Sequence, residues 1–363
     1  MLKNATNFNV DTDSTYQFTT HTPFDPSLWI GRQEPYESQR ARYWYQMVSD
    51  YTSQPVCLIG FACDQGVRRN LGRVGAKEAP RAIRNAFAKL PCSGTLQSLY
   101  QDKIQDDNAW TQLIGDAGDV HCHDNDKLID GALELTQAHY TQRVTDIIQK
   151  GSLAIGLGGG HAIAYASYLG LWNALNKNML SPPETKAPRI GIINFDAHLD
   201  LRQAPTGTSG TPFRQIAEHN LAHEQTFHYC AIGISQFSNT AALFDRADRL
   251  GVTVISDDDC IRLPWTDIEQ QLERFINSVD VIYLTIDMDG FAASIVPGVS
   301  APAAKGISLD FAERCIEYIF ASGVVKIMDI AEINPTYDID GRSSKVAARL
   351  LALMVELHLI QCK

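Results

Sequence analysis

Residues 190–200 read Ile190-Gly191-Ile192-Ile193-Asn194-Phe195-Asp196-Ala197-His198-Leu199-Asp200. The first half is an isoleucine-rich apolar run without polar alternation, which predicts a strand buried on both faces of a parallel sheet. It ends in three potential metal ligands at every second position. In an extended chain, residues i, i+2 and i+4 project from one face. Asp196, His198 and Asp200 therefore converge on one point if the extended direction persists that far; a helix would turn His198 away. Open α/β sheets place their chemistry at the carboxyl ends of strands. Taken alone, the stretch fits either a metal site or a strand end solvated by two acids and a histidine.

The pattern around it is regular. Further strands are expected at 56–61, 113–116, 153–157, 228–234, 252–255, 281–286 and 324–330. Helices are expected at 78–89, 127–150, 162–176, 239–249, 265–277, 308–322 and 343–358. Strands alternating with helices predict a mainly parallel sheet covered by helices on both faces, an α/β fold. No internal repeat or long linker divides the chain, so residues 51–363 are read as one domain. Residues 1–50 form an N-terminal extension. Its first 22 or so residues are polar and are expected to be a mobile or surface-bound tail; a short helix is expected at 38–47, and a loop at 181–185.

A hydrophobic content of 45% and a charged content of 20% describe a soluble globular protein. With 31 basic and 42 acidic residues the net charge is −11, which argues against nucleic acid or an anionic membrane as a principal partner. A small anionic substrate is compatible, because a few local arginines can outweigh the global field. No apolar run approaches the roughly 20 residues of a membrane span. Met1-Leu2-Lys3-Asn4-Ala5-Thr6 lacks the basic-then-apolar order of a secretory signal. The eight cysteines contain no C-x-x-C pair and read as reduced thiols. The expected location is cytoplasmic.

Two other stretches resemble the first. Gly158-Gly159-Gly160-His161 follows a strand and opens a helix, with neither the Lys-Ser/Thr of a P-loop nor a G-x-G-x-x-G spacing. Ile286-Asp287-Met288-Asp289-Gly290 ends another apolar run in two carboxylates on one face. Each is weak alone. Together, three strand ends supply four carboxylates and two imidazoles, and carboxylates so crowded would be driven to protonate unless a cation joined them. Oxygen donors mixed with imidazole, and no thiolate, suit Mn²⁺ better than a structural zinc. The ligand count suits two ions about 3.5–4 Å apart. His121-Cys122-His123-Asp124 has no partner cluster and is read as part of a loop. Asp257-Asp258-Asp259 is read as a helix cap or a solvated loop.

The three motifs resemble the metal motifs of the ureohydrolases, the family of arginase, agmatinase and formimidoylglutamase. Asp329-Ile330-Ala331-Glu332-Ile333-Asn334-Pro335, with Asp338, resembles a fourth, in which the glutamate holds the substrate's amidine-like nitrogens. The likeness spans roughly residues 55 to 355. It implies a three-layer α/β/α fold with a parallel eight-stranded sheet, self-association into a homo-oligomer, and hydrolysis of a C–N bond at an amidine or guanidine carbon. It also implies two Mn²⁺ per subunit. One would be held by His161, Asp196, Asp200 and Asp287; the other by Asp196, His198, Asp287 and Asp289, with Asp196 and Asp287 as bridges.

The loop after Asp200 points to one branch. Ser209 stands where agmatinase-like members carry a histidine before Gly-Thr-Pro-Phe, and the asparagine and histidine of the arginase loop are missing. Asp289 is followed by Gly290-Phe291-Ala292-Ala293-Ser294 instead of the usual Asp-Pro pair. The residue replacing the catalytic histidine of arginase-like members is therefore not identified. Leu201-Arg202, Ser209-Gly210-Thr211-Pro212-Phe213-Arg214, Pro297-Gly298-Val299-Ser300-Ala301-Pro302 and the stretch from Gly66 to Ala76 are similar to the formimidoylglutamase branch. Its substrate, N-formimino-L-glutamate, is dianionic, and planar guanidinium forks suit carboxylates. Arg202 is the foremost candidate, with Arg214, Arg69, Arg73 and Ser209 beside it. The mechanism implied is attack of a metal-bridging hydroxide on the formimino carbon. Asp200 would pass the proton to the departing nitrogen, and Glu332 would orient the amidinium. The products would be L-glutamate and formamide, a step in histidine degradation. The alternatives are an agmatinase- or guanidinobutyrase-type enzyme releasing urea, and a non-catalytic homologue.

Overall fold

The structure, a computed structural model, describes residues 18–100, 107–125, 127–176 and 187–362. Most of the expected tail, residues 1–17, and the loop at 181–185 lie outside the described residues. Ten strands join in one sheet: β1 (Thr19–Thr22), β2 (Val48–Asp50), β3 (Val56–Ala62), β4 (Ile114–Cys122), β5 (Leu153–Gly158), β6 (Ile190–Phe195), β7 (His228–Ile234), β8 (Thr253–Ser256), β9 (Val281–Asp287) and β10 (Val325–Ala331). Eight of them run in the order β4-β3-β5-β10-β9-β6-β7-β8 and pair in parallel throughout. This is the expected eight-stranded parallel sheet.

The extension enlarges it. β2 pairs in parallel with Ile114–Asp116 and β1 antiparallel with Asp119–Cys122, so the two divide the outer edge of β4 between them. The reading of residues up to 22 as a tail therefore fails at Thr19–Thr22. The open edge of β4 offers unpaired backbone groups that a polar segment can satisfy without burying apolar surface. The helix expected at 38–47 shrinks to a single 3-10 turn, Trp44–Met47.

Helices follow at α1 (Gln65–Arg69), α2 (Ala79–Phe87), α3 (Gly94–Tyr100), α4 (Ala132–Gln149), α5 (Ile163–Asn176), α6 (Pro212–Ala222), α7 (Ala241–Arg249), α8 (Asp257–Arg262), α9 (Trp265–Ile276), α10 (Leu309–Ala321) and α11 (Arg342–Gln361). Two apolar cores result, one on each face. Along β9, Ile282, Leu284 and Ile286 join α2, α3, α9, α10 and α11, while Val281 and Tyr283 join α4 to α7. The period of two survives although every position of the strand is buried. Among the described residues no helix is long and apolar enough to cross a membrane. The centre of the sheet, β5-β10-β9-β6, brings the ends that carry His161, Glu332, Asp287 and Asp196 side by side.

Candidate metal centre

Glycine sets the position of His161. Gly159 and Gly160 donate their backbone N–H groups to the carbonyls of Phe61 and Cys63 at 2.9 and 3.0 Å. A Cβ on Gly159 would lie 2.0 Å from the Cys63 oxygen. Only a bare backbone can turn this close to the end of β3, and the turn aims the buried His161 ring under the strand ends.

The route from Asp196 to Asp200 differs from a continuing strand. β6 stops at Phe195, His198 N donates to Asp196 Oδ1 at 2.6 Å, and Asp200 takes the left-handed conformation with φ 47°. The ligands converge because the loop curls, not because its extended direction persists. Two asparagines fix the curl. Asn239 accepts from Leu199 N at 2.9 Å and donates to the carbonyls of Ala197 and Ser235, and Asn194 donates to Asp196 Oδ2 at 3.0 Å. Neither was singled out in the sequence, although Asn194 is visible there as the one polar interruption of the apolar run. Across the site, Asp287 Oδ1 caps its own turn by accepting from Asp289 N at 2.8 Å.

Two groups of ligand atoms form, each lying within 4.8 Å: His161, Asp196, Asp200 and Asp287, and Asp196, His198 and Asp289. His161 Nδ1 lies 3.0, 3.1 and 3.4 Å from oxygens of Asp287, Asp200 and Asp196. His198 Nδ1 lies 3.3 Å from Asp289 and 3.4 Å from Asp196. All six expected ligands meet here, and Asp196 turns one oxygen to each histidine. Asp287 belongs to the first group, beside Asp289 of the second.

The electrostatics follow from burial and from the crowding of like charges. Burial pushes the Asp200 carboxyl up to about 6, helped by the charge of Asp196. Burial likewise holds Asp287 well above the usual carboxylate range. For His161, burial is the largest single influence and pulls its pKa down, but Asp287, Asp196 and Asp200 together hold it well above the ordinary value. Asp289 does the same for His198 against the opposing effect of burial. Asp289 Oδ1 is buried with no hydrogen-bond partner. Hard oxygen donors, two imidazoles and an orphaned buried carboxylate oxygen fit a divalent metal centre of two adjoining sites.

Glu332 sits beside the cluster in the left-handed region, φ 67°, with Oε1 accepting from His161 N at 2.8 Å. Burial, then the charge of Asp289, pushes its pKa up to about 8. Two left-handed non-glycine residues at one site are a store of backbone strain. Asp338 takes no part: it caps α11 by accepting from Ser343 N and Ser344 N at 2.9 and 3.1 Å.

A cavity of about 310 Å³ opens over the cluster, lined by Asp200, Asp289, Glu332, Arg202, Ser209 and Arg73 among others. The four candidate arginines divide. Arg69 is held by both oxygens of Glu134 and by the Gly207 carbonyl, and Arg214 by Glu218 and the Arg202 carbonyl; neither lines the cavity. Arg73 lines it, but its guanidinium donates to the carbonyls of Ser300 and Val299 and lies over the Tyr337 ring. Among the described residues, the Arg202 guanidinium has no hydrogen-bond or ion-pair partner. His121 and Cys122 end β4 instead of lying in a loop, and His123 bonds Thr20 Oγ1 at 2.6 Å. Asp257 to Asp259, read as a helix cap or a solvated loop, form the first turn of α8; Ser256 is the cap, and Asp259 closes a capping box with it.

A sequence profile described as the arginase family matches residues 54–356. The chain belongs to the arginase family. It is 58% identical over 349 residues to a formimidoylglutamase of Psychrobacter cryohalolentis, a match covering 94% of this chain and 99% of that protein. The crystal structure of formimidoylglutamase from Bacillus subtilis superposes with a TM-score of 0.71 at 23% identity, covering 91% of this chain and 95% of that one. Formiminoglutamase of Trypanosoma cruzi, solved with Mn²⁺, gives 0.70 at 23% identity, over 86% of this chain and 97% of its own. At these identities the two structures speak for the fold.

Proposed function

We infer that this chain hydrolyses the formimino C–N bond of N-formimino-L-glutamate, giving L-glutamate and formamide. The observation that carries the reading is the nearly end-to-end match, at 58% identity, to a formimidoylglutamase. The proposed complement is two Mn²⁺ ions, one that would be held by His161, Asp196, Asp200 and Asp287, the other by Asp196, His198, Asp287 and Asp289. When bound, they supply Lewis acidity and a water acidified to near neutrality.

The chain's own residues do the rest. Glu332 faces the cavity beside Asp200 and pairs with the cationic amidinium, turning the formimino carbon toward the cluster. Asp200, which lines the cavity, would take a proton from the attacking water and give it to the departing glutamate nitrogen. Arg202 presents its fork to a substrate carboxylate, and Ser209 offers a hydroxyl next to it. Arg73, already committed, forms a wall. A cationic substrate such as agmatine would meet Arg202 with like charge.

Manganese-loaded protein offered N-formimino-L-glutamate, agmatine, arginine and guanidinobutyrate separately is expected to release formamide and glutamate from the first and no urea from the others. Urea without formamide would overturn the assignment.

A further inference from the structure

One layer below the ligands lies a polar row that the proposed reaction leaves unused. The parallel registers place Gly156 of β5, Asp329 of β10, Thr285 of β9 and Asn194 of β6 side by side. The interior of a buried parallel sheet is ordinarily aliphatic, yet Asp329, Thr285 and Asn194 have no exposure at all. Thr285 Oγ1 donates to Asp329 Oδ1, and Tyr283 OH donates to Asp329 Oδ2 at 2.6 Å. His161 Nε2 lies 3.0 Å from the same Thr285 hydroxyl, while its Nδ1 faces the three aspartates. Gly156 leaves the room, since a Cβ there would lie 2.8 Å from Asp329 Cβ and 2.4 Å from Tyr140 OH.

A threonine hydroxyl has one proton to give. Given to Asp329, it leaves only a lone pair for His161, so Nε2 must carry the hydrogen and Nδ1 is free to bind. We propose that Thr285 and Asp329 are positioning residues that lock His161 in the tautomer presenting Nδ1 to the first metal site. The proposal rests on reading the cluster as a metal centre. A carboxylate behind a ligand histidine is a common arrangement whose loss costs about 10–100-fold in metal affinity. Here it acts through an interposed hydroxyl, so exchanging that hydroxyl for a methyl isolates the effect.

The test is chelator-competition titration of the metal-stripped full chain with Mn²⁺, giving the number of ions bound and each dissociation constant. Thr285→Val is expected to weaken one of two sites by about 10–100-fold and leave the other unchanged, and Thr285→Ser to restore it. Asp329→Asn, which keeps the shape and removes the charge, is expected to weaken the same site. The proposal is overturned if Thr285→Val binds both ions as the wild type does, or if Thr285→Ser is as weak as Thr285→Val, which would assign the residue to packing. If Thr285→Val does not fold, Asp329→Asn decides, and unchanged affinity there overturns the proposal. Wild-type protein that takes up no Mn²⁺ would instead overturn the metal-centre reading beneath it.

Discussion

Two buried groups of carboxylates in this protein meet the same difficulty by different means. On β4, Asp116 and Asp119 share Arg84, itself 1% exposed, at 2.8 and 2.5 Å. The guanidinium also donates to the Gly118 carbonyl, and Trp29 Nε1 donates to Asp116 at 2.9 Å. At the ends of β6 and β9, four aspartates gather with two imidazoles, and among the described residues no lysine or arginine joins their ion pairs. A buried charge is tolerated when its complement is buried with it. The first cluster carries its cation in the sequence and is finished when the chain folds. The second is finished only when charge arrives from outside.

Breaking the comparison at its metal end gives the largest effect. Asp196→Ala removes the carboxylate common to both ligand groups, and kcat/KM should fall on the order of 10³-fold or more, as when a central catalytic group is lost. The metal-stripped variant should also melt below metal-stripped wild type, because Asp196 accepts from Asn194 and His198 N and faces both histidines. Full activity and metal content in this variant would refute the site.

Arg84→Met breaks the other end. It strands Asp116 and Asp119 and should cost about 3–5 kcal/mol in denaturant unfolding, while metal bound per folded chain stays constant. An unmoved unfolding midpoint would mean that the ion cluster is not a structural keystone.

Arg202→Ala should raise KM for N-formimino-L-glutamate by about 10–100-fold, corresponding to a charge-assisted hydrogen bond worth about 1.5–3 kcal/mol, with kcat less affected. A lowered kcat at unchanged KM would remove Arg202 from carboxylate recognition.

The smallest effect is in pH. Asp200 at about 6 and Glu332 at about 8 stand above their ordinary values of 3.8 and 4.5. The stability such raised groups lend is fully present below the unfolded values and is lost as pH climbs through the folded ones. Metal-free protein should therefore weaken from about pH 4 to about pH 8 relative to the metal-loaded form. The gap between their melting temperatures should widen over that interval; a narrowing gap would contradict the charge account.

The sequence shows this contrast at one end only. An apolar run that stops in potential ligand residues is a local signal, and three such runs named the six residues that meet in the cluster and the parallel strands that bear them. What depends on distant partners was hidden. Arg84 lies 32 residues from Asp116, and Arg69 lies 65 from Glu134, so neither bond leaves a local pattern. The Arg214–Glu218 pair is the exception, since its i,i+4 spacing can be read from the chain. β1 was missed because four polar residues form a strand through hydrogen bonds alone. The left-handed turn at Asp200 was missed because its spacing mimics a continuing strand.

The most direct test of the central claim is the metal content of wild-type protein reconstituted with Mn²⁺ and freed of excess, measured by elemental mass spectrometry beside Arg84→Met and Asp196→Ala. The account predicts two ions per chain in the wild type, two in Arg84→Met, and a loss in Asp196→Ala. A wild-type chain that retains no ion, or an Asp196→Ala chain that retains both, would contradict it.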